Sequence, residues 1–350
     1  MIETWYGIVS FMLITYVVLD GRNFGVGILH MFVARTPAER RQVVAAIGPL
    51  WSWHEVWLLA FGGSLVAVFP RLLASAFAGY YLALFLILWC FILRGVSLEV
   101  GGHINDRLWQ DFWDFVFAVS SLLLAILFGA ALGNLARGVP LDRHGDFSMA
   151  FFTDVQTVRG NVGLLDWYTV SIAVFATVML AAHGATYLAL KTEGPVHDRS
   201  EFYGKWLWTA IGPFLLIVTA ETWFVRPDLF ASGVGNPLSW LGGIVILVSA
   251  FTLLSGLRDR QEMRAFLGSN FLIIGLLVTG AVTIFPVILY STLAPENSLT
   301  VYSVASSPSS LSTAALWWPF GLILTVCYFI FISRRYYGKV GVCRGNQNHY

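Results

Sequence analysis

Charged residues are scarce in this sequence. They make up 12% of its 350 residues, whereas soluble domains carry roughly 25%. The formal net charge is only +1, so the chain lacks the basic excess by which many proteins bind nucleic acid. These absences exclude an ordinary soluble domain and give no sign of nucleic-acid binding.

Cysteine is equally sparse. The chain has three cysteines, Cys90, Cys327 and Cys343, which are far apart and odd in number. Neither a set of disulfides nor a CxxC metal site is therefore indicated. Residues 1–19 also lack a basic n-region and an A-x-A cleavage site, which predicts a retained first membrane span rather than a cleaved signal peptide.

Apolar sequence, by contrast, is abundant. Hydrophobic residues make up 57% of the chain, and they come in blocks of about 20, the length that spans hydrocarbon. Residues 82–88 do not alternate as a barrel strand would. We therefore predict an all-α integral membrane protein with about nine transmembrane helices. The predicted spans are 4–33, 54–69, 75–97, 112–136, 165–190, 206–224, 238–257, 265–292 and 313–333.

The connections between these spans give two further expectations. Pro70 and Arg71 predict a tight turn between the second and third spans. The longest loops are 138–164 and 294–312, and the second is rich in serine and proline. We expect the second loop to be exposed and mobile.

Basic residues are distributed unequally between alternate loops. The poorer set of loops contains Arg71, Arg137, Arg143, Arg159 and Arg226. The richer set contains Arg35, Arg40, Arg41, Arg94, Arg107, Lys191, Arg199, Lys205, Arg258, Arg260, Arg264, Arg334, Arg335, Lys339 and Arg344. The positive-inside rule then predicts an external N-terminus and a cytoplasmic C-terminus.

Polar residues interrupt the first span. Asp20 and Asn23 are three residues apart and share a helix face, and the neighbouring glycines let another helix approach closely. One interpretation is a charge pair, either between Asp20 and Arg22 or across helices, that docks helices. The other is a polar face that conducts protons or faces a cofactor. A charged side chain within a membrane span is costly, so its presence indicates a function.

A second polar cluster opens the second span. Trp53 and Trp57 lie one turn apart, beside His54 and Glu55. An interfacial aromatic belt would leave His54 and Glu55 in contact with water. Alternatively, Glu55 titrates in a proton path or His54 ligates a metal or haem, although no paired ligand spacing supports ligation.

Charged residues also occur near the ends of later spans. Arg94 and Glu99 are expected to pair with each other or with lipid headgroups. Asp114 is expected in the first turn of the fourth span, where the helix dipole favours a carboxylate. His183 is interpreted as a satisfied packing group within the fifth span.

Several motifs occur together in a recognisable order. They comprise residues 20–27 (DGRNFGVG), 49–51, 55–58, 94–99 (RGVSLE), 112–114, 133–140 and 184–188. Taken together, they resemble subunit II of cytochrome bd-type quinol oxidases. The resemblance is strong over residues 1–190 and rests mainly on hydropathy after that.

The resemblance implies a fold of two four-helix bundles plus one peripheral helix. The bundles would be residues 1–137 and 165–292, and the ninth helix 313–333. It also implies a bacterial cytoplasmic membrane location and a partner subunit I that holds b-type and d-type haems and the quinol site. Subunit II in this family ligates no haem, contacts lipid, can hold a structural quinone, and can be joined by small single-span subunits.

The sequence departs from the family pattern where a proton path would need acids. Many relatives have a second aspartate where this chain has Asn23, and a Trp-Asp-Gly-Asn where it has residues 51–54. The proton-path candidates are Asp20, Asn23, Ser52 and Glu55. The candidates for a subunit interface or haem proximity are Trp51, His54, Trp57, Arg94, Glu99 and Asp114.

Two other classes of protein remain as alternatives. A secondary transporter or channel predicts broken helices at corresponding positions of two halves, and residues 165–190 show no interruption to match that of the first span. A cofactor-free assembly scaffold predicts that the polar clusters are dispensable.

Overall fold

The computed structural model describes residues 1–48 and 50–341, and its architecture is almost wholly helical. The N-terminal half contains α1 (Ile2–Val33), α2 (Pro37–Ile47), α3 (Leu50–Val68), α4 (Pro70–Gly79), α5 (Tyr81–Val100) and α6 (Arg107–Arg137). The C-terminal half contains α7 (Trp167–Lys191), α8 (Pro195–Val225), α9 (Pro227–Gly235), α10 (Pro237–Arg258), α11 (Glu262–Ile284), α12 (Val301–Val304) and α13 (Pro308–Arg335). Two short strands, β1 (Val287–Leu289) and β2 (Leu299–Thr300), pair antiparallel between α11 and α12.

Eight of the described helices are long and apolar enough to cross a membrane, and the bent pair of α2 and α3 allows a ninth. The prediction of an all-α membrane protein with about nine spans is therefore confirmed. The division into two bundles and a peripheral helix stays a prediction. Pro49, part of one family motif, lies outside the described residues, as do Cys343 and Arg344.

Proline positions account for the span boundaries that were predicted wrongly. Pro70 begins α4 instead of forming a tight turn, so the third span starts at Tyr81 and not at 75. Proline is favoured at the first helical position, where its missing N–H is not needed. For the same reason α8 starts at Pro195 and not at 206. The predicted eighth span ends at Ile284 instead of 292, because Pro286 follows and the chain continues as β1.

Part of the loop 294–312 is buried, although the sequence predicted an exposed loop. Val301, Val304 and Leu311 are buried in a core cluster that includes Trp5 of α1. The Trp5 indole nitrogen donates to the Leu311 carbonyl at 3.2 Å. The expectation that this loop is exposed was wrong for these residues, because their apolar side chains cover the start of α1; its mobility stays a prediction.

Helix α1 lies at the centre, packing against α3, α6 and α7. Gly25 makes the close approach to α7 possible, because a Cβ there would lie 1.9 Å from the Leu180 carbonyl oxygen and 2.8 Å from the Gly184 nitrogen. On the α6 side, a Cβ at Gly27 would lie 2.1 Å from the Ser121 hydroxyl oxygen. The prediction that these glycines permit close helix packing is confirmed.

We predict that Gly25→Ala destabilises the protein by at least about 1–3 kcal/mol, since the added methyl group overlaps backbone atoms that move only with α7. Gly7→Ala, in the same helix, is the matched control because a Cβ there meets nothing within 4 Å. The measurement is the unfolding free energy of the purified protein in mixed micelles. Equal stability of the two variants would contradict the packing described.

Candidate functional site

A buried ion pair joins α1 to α5. Asp20 and Arg94 both have 0% of their surface exposed. Arg94 donates from Nη2 to Asp20 Oδ1 at 2.6 Å and from Nη1 to Oδ2 at 3.0 Å. Its guanidinium carbon also lies 4.6 Å from the centre of the Phe24 ring. This two-pronged geometry is the arrangement in which a guanidinium best compensates a buried carboxylate.

This pairing replaces two that were expected from the sequence. Asp20 does not pair with Arg22, because side chains two positions apart on a helix point in different directions. Arg94 does not pair with Glu99, whose side chain is exposed while that of Arg94 is buried. The structure instead shows Asp20 of α1 paired with Arg94 of α5. A charge pair across helices was one of the two forms that the docking interpretation allowed.

His54 of α3 extends the buried cluster. Arg22 Nη2 donates to His54 Nε2 at 2.9 Å, and Asn23 Nδ2 lies 2.7 Å from His54 Nδ1. The same Asn23 nitrogen donates to Asp20 Oδ1 at 2.9 Å. His54 is buried, so the expectation that water contacts it at the headgroups was wrong. Its ring nitrogens both face polar side chains, and neither is directed to an open position where a haem iron would bind.

Glu55 gives the cluster its one carboxylate with access to the outside. Its side chain is 28% exposed, and Oε1 lies 3.9 Å from Arg94 Nη1. Arg94 therefore lies between a fully buried carboxylate, Asp20, and a partly exposed one. Such an arrangement places a partly exposed carboxylate beside a buried charge pair.

The other predicted residues of α3 lie around this cluster. Trp57 is buried and packs edge-to-face on Phe11, with ring centres 5.8 Å apart. Trp51 is half-buried and Ser52 is exposed. Trp53 packs against Tyr328 of α13, with ring centres 3.9 Å apart and the ring planes tilted by 31°. The structure thus brings Asp20, Asn23 and Glu55 together but leaves Ser52 on the outer face of α3.

Asp114 belongs to a second polar cluster and not to a helix cap. Helix α6 begins at Arg107, capped by Asp106, so the expectation that Asp114 lies in the first turn was wrong. Its carboxylate accepts from His30 Nε2 at 2.9 Å and from Arg40 at 3.1 Å. Arg40 also pairs with Asp111 at 2.5 Å. This cluster ties α1, α2 and α6 together at the C-terminal end of α1.

His183 has the contacts of a satisfied packing residue. Its Nδ1 lies 2.9 Å from the Ser269 hydroxyl, and its Nε2 lies 3.2 Å from the Val18 carbonyl oxygen. Its ring also stacks on Phe266, at an interplanar angle of 2°. Within the described part of the chain, no three His, Cys, Asp or Glu side chains are placed to hold a metal ion.

A second fully buried charge pair was missed from the sequence. Arg137, at the end of α6, pairs with Asp166, the N-cap of α7. Arg137 also donates to Asn134 Oδ1 at 2.6 Å and to the Gly163 carbonyl at 3.1 Å. The sequence assigned Arg137 to a loop, although an aspartate three residues before Thr169 was a signal for a helix start.

The sequence model of the family described as "Cytochrome bd terminal oxidase subunit II" matches residues 1–335. The chain belongs to this family. Family membership supports the oxidase interpretation over a transporter, a channel or a cofactor-free scaffold.

Named relatives agree with this assignment. "Cytochrome bd-I ubiquinol oxidase subunit 2" of Escherichia coli K12 is 27% identical, over 94% of each chain. "Probable cytochrome oxidase subunit 2" of Haemophilus influenzae is 27% identical, over 96% of this chain and 94% of the relative. "Cytochrome bd ubiquinol oxidase subunit 2" of Bacillus subtilis is 26% identical, over 90% and 89%.

A solved structure also shares the fold. A chain of the bd oxidase from Geobacillus thermodenitrificans superposes with a TM-score of 0.74 at 12% identity, covering 96% of this chain and 98% of its own. At this identity the likeness concerns the fold of the subunit alone.

We predict that Asp166→Asn lowers the unfolding free energy by about 3–5 kcal/mol, because it leaves Arg137 buried without its countercharge. Asparagine caps helices about as well as aspartate, so the loss reports the charge pair and not the cap. Asp154→Asn, in the exposed part of the preceding loop, is the control and should change stability by less than about 0.5 kcal/mol. An equally small effect at Asp166 would contradict the role given to the pair.

Proposed function

We propose that this chain is the second subunit of a quinol:oxygen oxidoreductase of the cytochrome bd type. It stabilises a haem-bearing subunit I and contributes to proton uptake for the reduction of oxygen to water. The observation that carries the proposal is the family match over nearly the whole chain, joined to a buried charged cluster that packing alone does not require.

The chemistry on oxygen belongs, in this proposal, to the partner. Subunit I holds the b-type and d-type haems and the quinol, while this chain ligates no haem and is not catalytic alone. The occupied ring nitrogens of His54 and His183 support that division. A structural quinone and small single-span subunits are further components that the family resemblance supports.

The residues offered for a subunit interface fall into two groups by exposure. Arg94, His54 and Trp57 are buried within this chain, so they act through the packing of its own helices. Glu99 is exposed, and Trp51 and Asp114 are partly so. These three are the better candidates for direct contact with subunit I.

Glu55 is the residue we assign to proton exchange. It is the cluster's partly exposed carboxylate, and its contact with Arg94 is long at 3.9 Å, so protonation breaks no close hydrogen bond. A proton taken up there lies next to Arg94 and Asp20, with Asn23 and His54 continuing the polar path. Ser52 lies outside the buried part of that path.

This proposal gives Asp20 a structural role and not the proton-path role that the sequence suggested. The sequence made Asp20 a candidate for the proton path. The Asp20 carboxylate accepts two hydrogen bonds from the buried Arg94 guanidinium, the geometry of a bidentate charge pair. We therefore assign Asp20 to fixing the charge of Arg94, and proton exchange to Glu55.

The orientation in the membrane is proposed from the basic residues. We place the chain in the bacterial cytoplasmic membrane, with the N-terminus outside and the C-terminus in the cytoplasm. Reporter domains fused after residue 345 should be active only when the reporter works in the cytoplasm. Activity of a periplasm-specific reporter there would reverse the orientation.

We predict that Glu55→Gln lowers quinol-driven oxygen uptake per mole of haem about a hundredfold or more, the range that loss of a positioned acid–base group produces. The yield of assembled complex should stay near that of the native complex. Asp20→Asn should instead lower the yield, because Arg94 loses its countercharge. Each variant is purified with its partner and normalised by the reduced-minus-oxidised haem spectrum.

Glu193→Gln is the matched control, since it removes an exposed carboxylate in the turn after α7, outside this cluster and outside the interface candidates. It should leave both turnover and yield unchanged. Normal specific activity of Glu55→Gln would eliminate the proton-exchange role. Absence of any co-purifying haem protein would contradict the assignment to an oxidase complex.

A further inference from the structure

The chain passes from α10 to α11 through a short turn rich in arginine. Arg258 ends α10, Arg260 lies in the turn, and Arg264 lies in the first turn of α11. Both helices are long and apolar enough to cross a membrane, so the turn between them lies near the lipid headgroups. The proposed orientation puts it on the cytoplasmic side, where anionic lipids attract basic residues.

Arg260 has a backbone conformation that rarely suits an arginine. Its φ is 54°, and within the described part of the chain it is the one residue other than glycine with a positive φ. The Gln261 N–H donates to the Gly256 carbonyl at 2.8 Å and so closes the end of α10. Glycine is the usual residue at this place in a helix end, because it has no side chain to clash. An arginine that is kept in a strained conformation points to a use for its side chain.

A cavity of about 510 Å³ opens beside this turn. Its lining combines two cations, Arg260 and Arg264, with the apolar side chains of Met263 and Leu267 from α11 and Leu190 from the end of α7. Pockets that bind small ligands have volumes of roughly 300–1,000 Å³. The cavity is therefore large enough for a lipid headgroup, and its lining is suited to an anion that carries an apolar group.

The two arginines of the cavity have only long contacts with acidic side chains. Arg260 Nε lies 3.6 Å from Glu201 Oε1, and Arg264 Nη1 lies 3.7 Å from Asp259 Oδ2. Both distances are longer than a hydrogen bond. A guanidinium has five N–H donors, so each arginine keeps donors to offer to a further anion.

Glu262 is the acidic residue in the lining of the cavity, and its charge is already matched. Lys339 Nζ lies 2.7 Å from each of the two Glu262 carboxylate oxygens. His197 Nδ1 lies 3.5 Å from Oε1 of the same carboxylate. Because Lys339 neutralises Glu262, the two arginines give the cavity an excess of positive charge.

An apolar stripe continues from the cavity along α11. Met263, Leu267 and Phe271 follow each other at intervals of four residues, which puts them on one side of the helix. Each is about half exposed. The stripe extends about 12 Å from the turn towards the middle of the membrane span, at 1.5 Å per residue. A phosphate site followed by an exposed apolar track has the same order as the headgroup and acyl chain of a phospholipid.

We propose that this cavity is a binding site for an anionic phospholipid such as phosphatidylglycerol. Arg260 and Arg264 hold the headgroup phosphate, and one acyl chain lies on the stripe of Met263, Leu267 and Phe271. The site uses none of the residues of the cluster around Asp20 and Arg94. It extends the proposed function, because it would fix the α10–α11 turn to the membrane surface.

Photocrosslinking tests the site in the intact complex, held in phosphatidylcholine nanodiscs that contain a small fraction of phosphatidylglycerol with a diazirine in one acyl chain. The probe should attach to the peptide that spans residues 260–271. A phosphatidylcholine probe should label this peptide at least about fivefold less, because its headgroup has no net charge. Absence of labelling, which is the result if subunit I covers the cavity, or equal labelling by both probes would overturn the proposal.

Two variants separate the cavity from a diffuse basic surface. Arg260→Gly removes a guanidinium at a position whose conformation suits glycine, so the turn should fold at least as well, and labelling should fall at least about fivefold. Arg258→Gln is the matched control, since it removes the same charge beside the same turn from a residue outside the cavity lining. It should keep nearly all of the labelling. Equal losses in the two variants would overturn the proposal.

Free phosphate is the other source of the same chemistry. Sodium phosphate should displace the lipid probe no more than sodium chloride of equal ionic strength does, because both then act by screening charge. Stronger displacement by phosphate would assign the cavity to free phosphate instead of lipid. Nanodiscs expose both faces of the bilayer and no turnover is measured, so these results depend neither on the proposed orientation nor on the role of Glu55.

Discussion

Burial of full charges in a membrane-spanning protein is the constraint on which this structure depends. A charged side chain within hydrocarbon is costly unless a partner and hydrogen bonds compensate it. Asp20 and Arg94 meet that condition with two short hydrogen bonds across α1 and α5. The position of α1 against α3, α5 and α6 follows from keeping this pair, His54 and Asp114 in contact with their partners.

The substitutions that depart from the family pattern are consistent with the same constraint. A carboxylate at Asn23 would lie about 3 Å from Asp20, where two like charges repel strongly. The amide instead donates to Asp20 and contacts His54. Arg22 and Arg94 bring two positive charges, and Asp20 and Glu55 bring two negative ones. The cluster is therefore neutral when Glu55 is ionised and carries one extra positive charge when Glu55 binds a proton.

The sequence predicted what depends on local composition and pattern. Apolar blocks predicted the helical spans, and the glycines of α1 predicted close packing. Pairing was not predictable, because Asp20 and Arg94 are 74 positions apart and no local spacing relates them. His30 and Asp114, or Arg137 and Asp166, meet only once α1, α6 and α7 pack. The burial of part of loop 294–312 likewise depends on a distant surface, the start of α1.

The most direct measurement is a double-mutant cycle on the central pair, using Asp20→Asn, Arg94→Gln and the combination, with unfolding free energy measured in mixed micelles. Each single variant should lose about 3–5 kcal/mol, because it strands one buried charge. The double variant should lose at least about 2 kcal/mol less than the sum, since neither charge remains. Additive losses would show that the two side chains do not stabilise each other and would contradict the account.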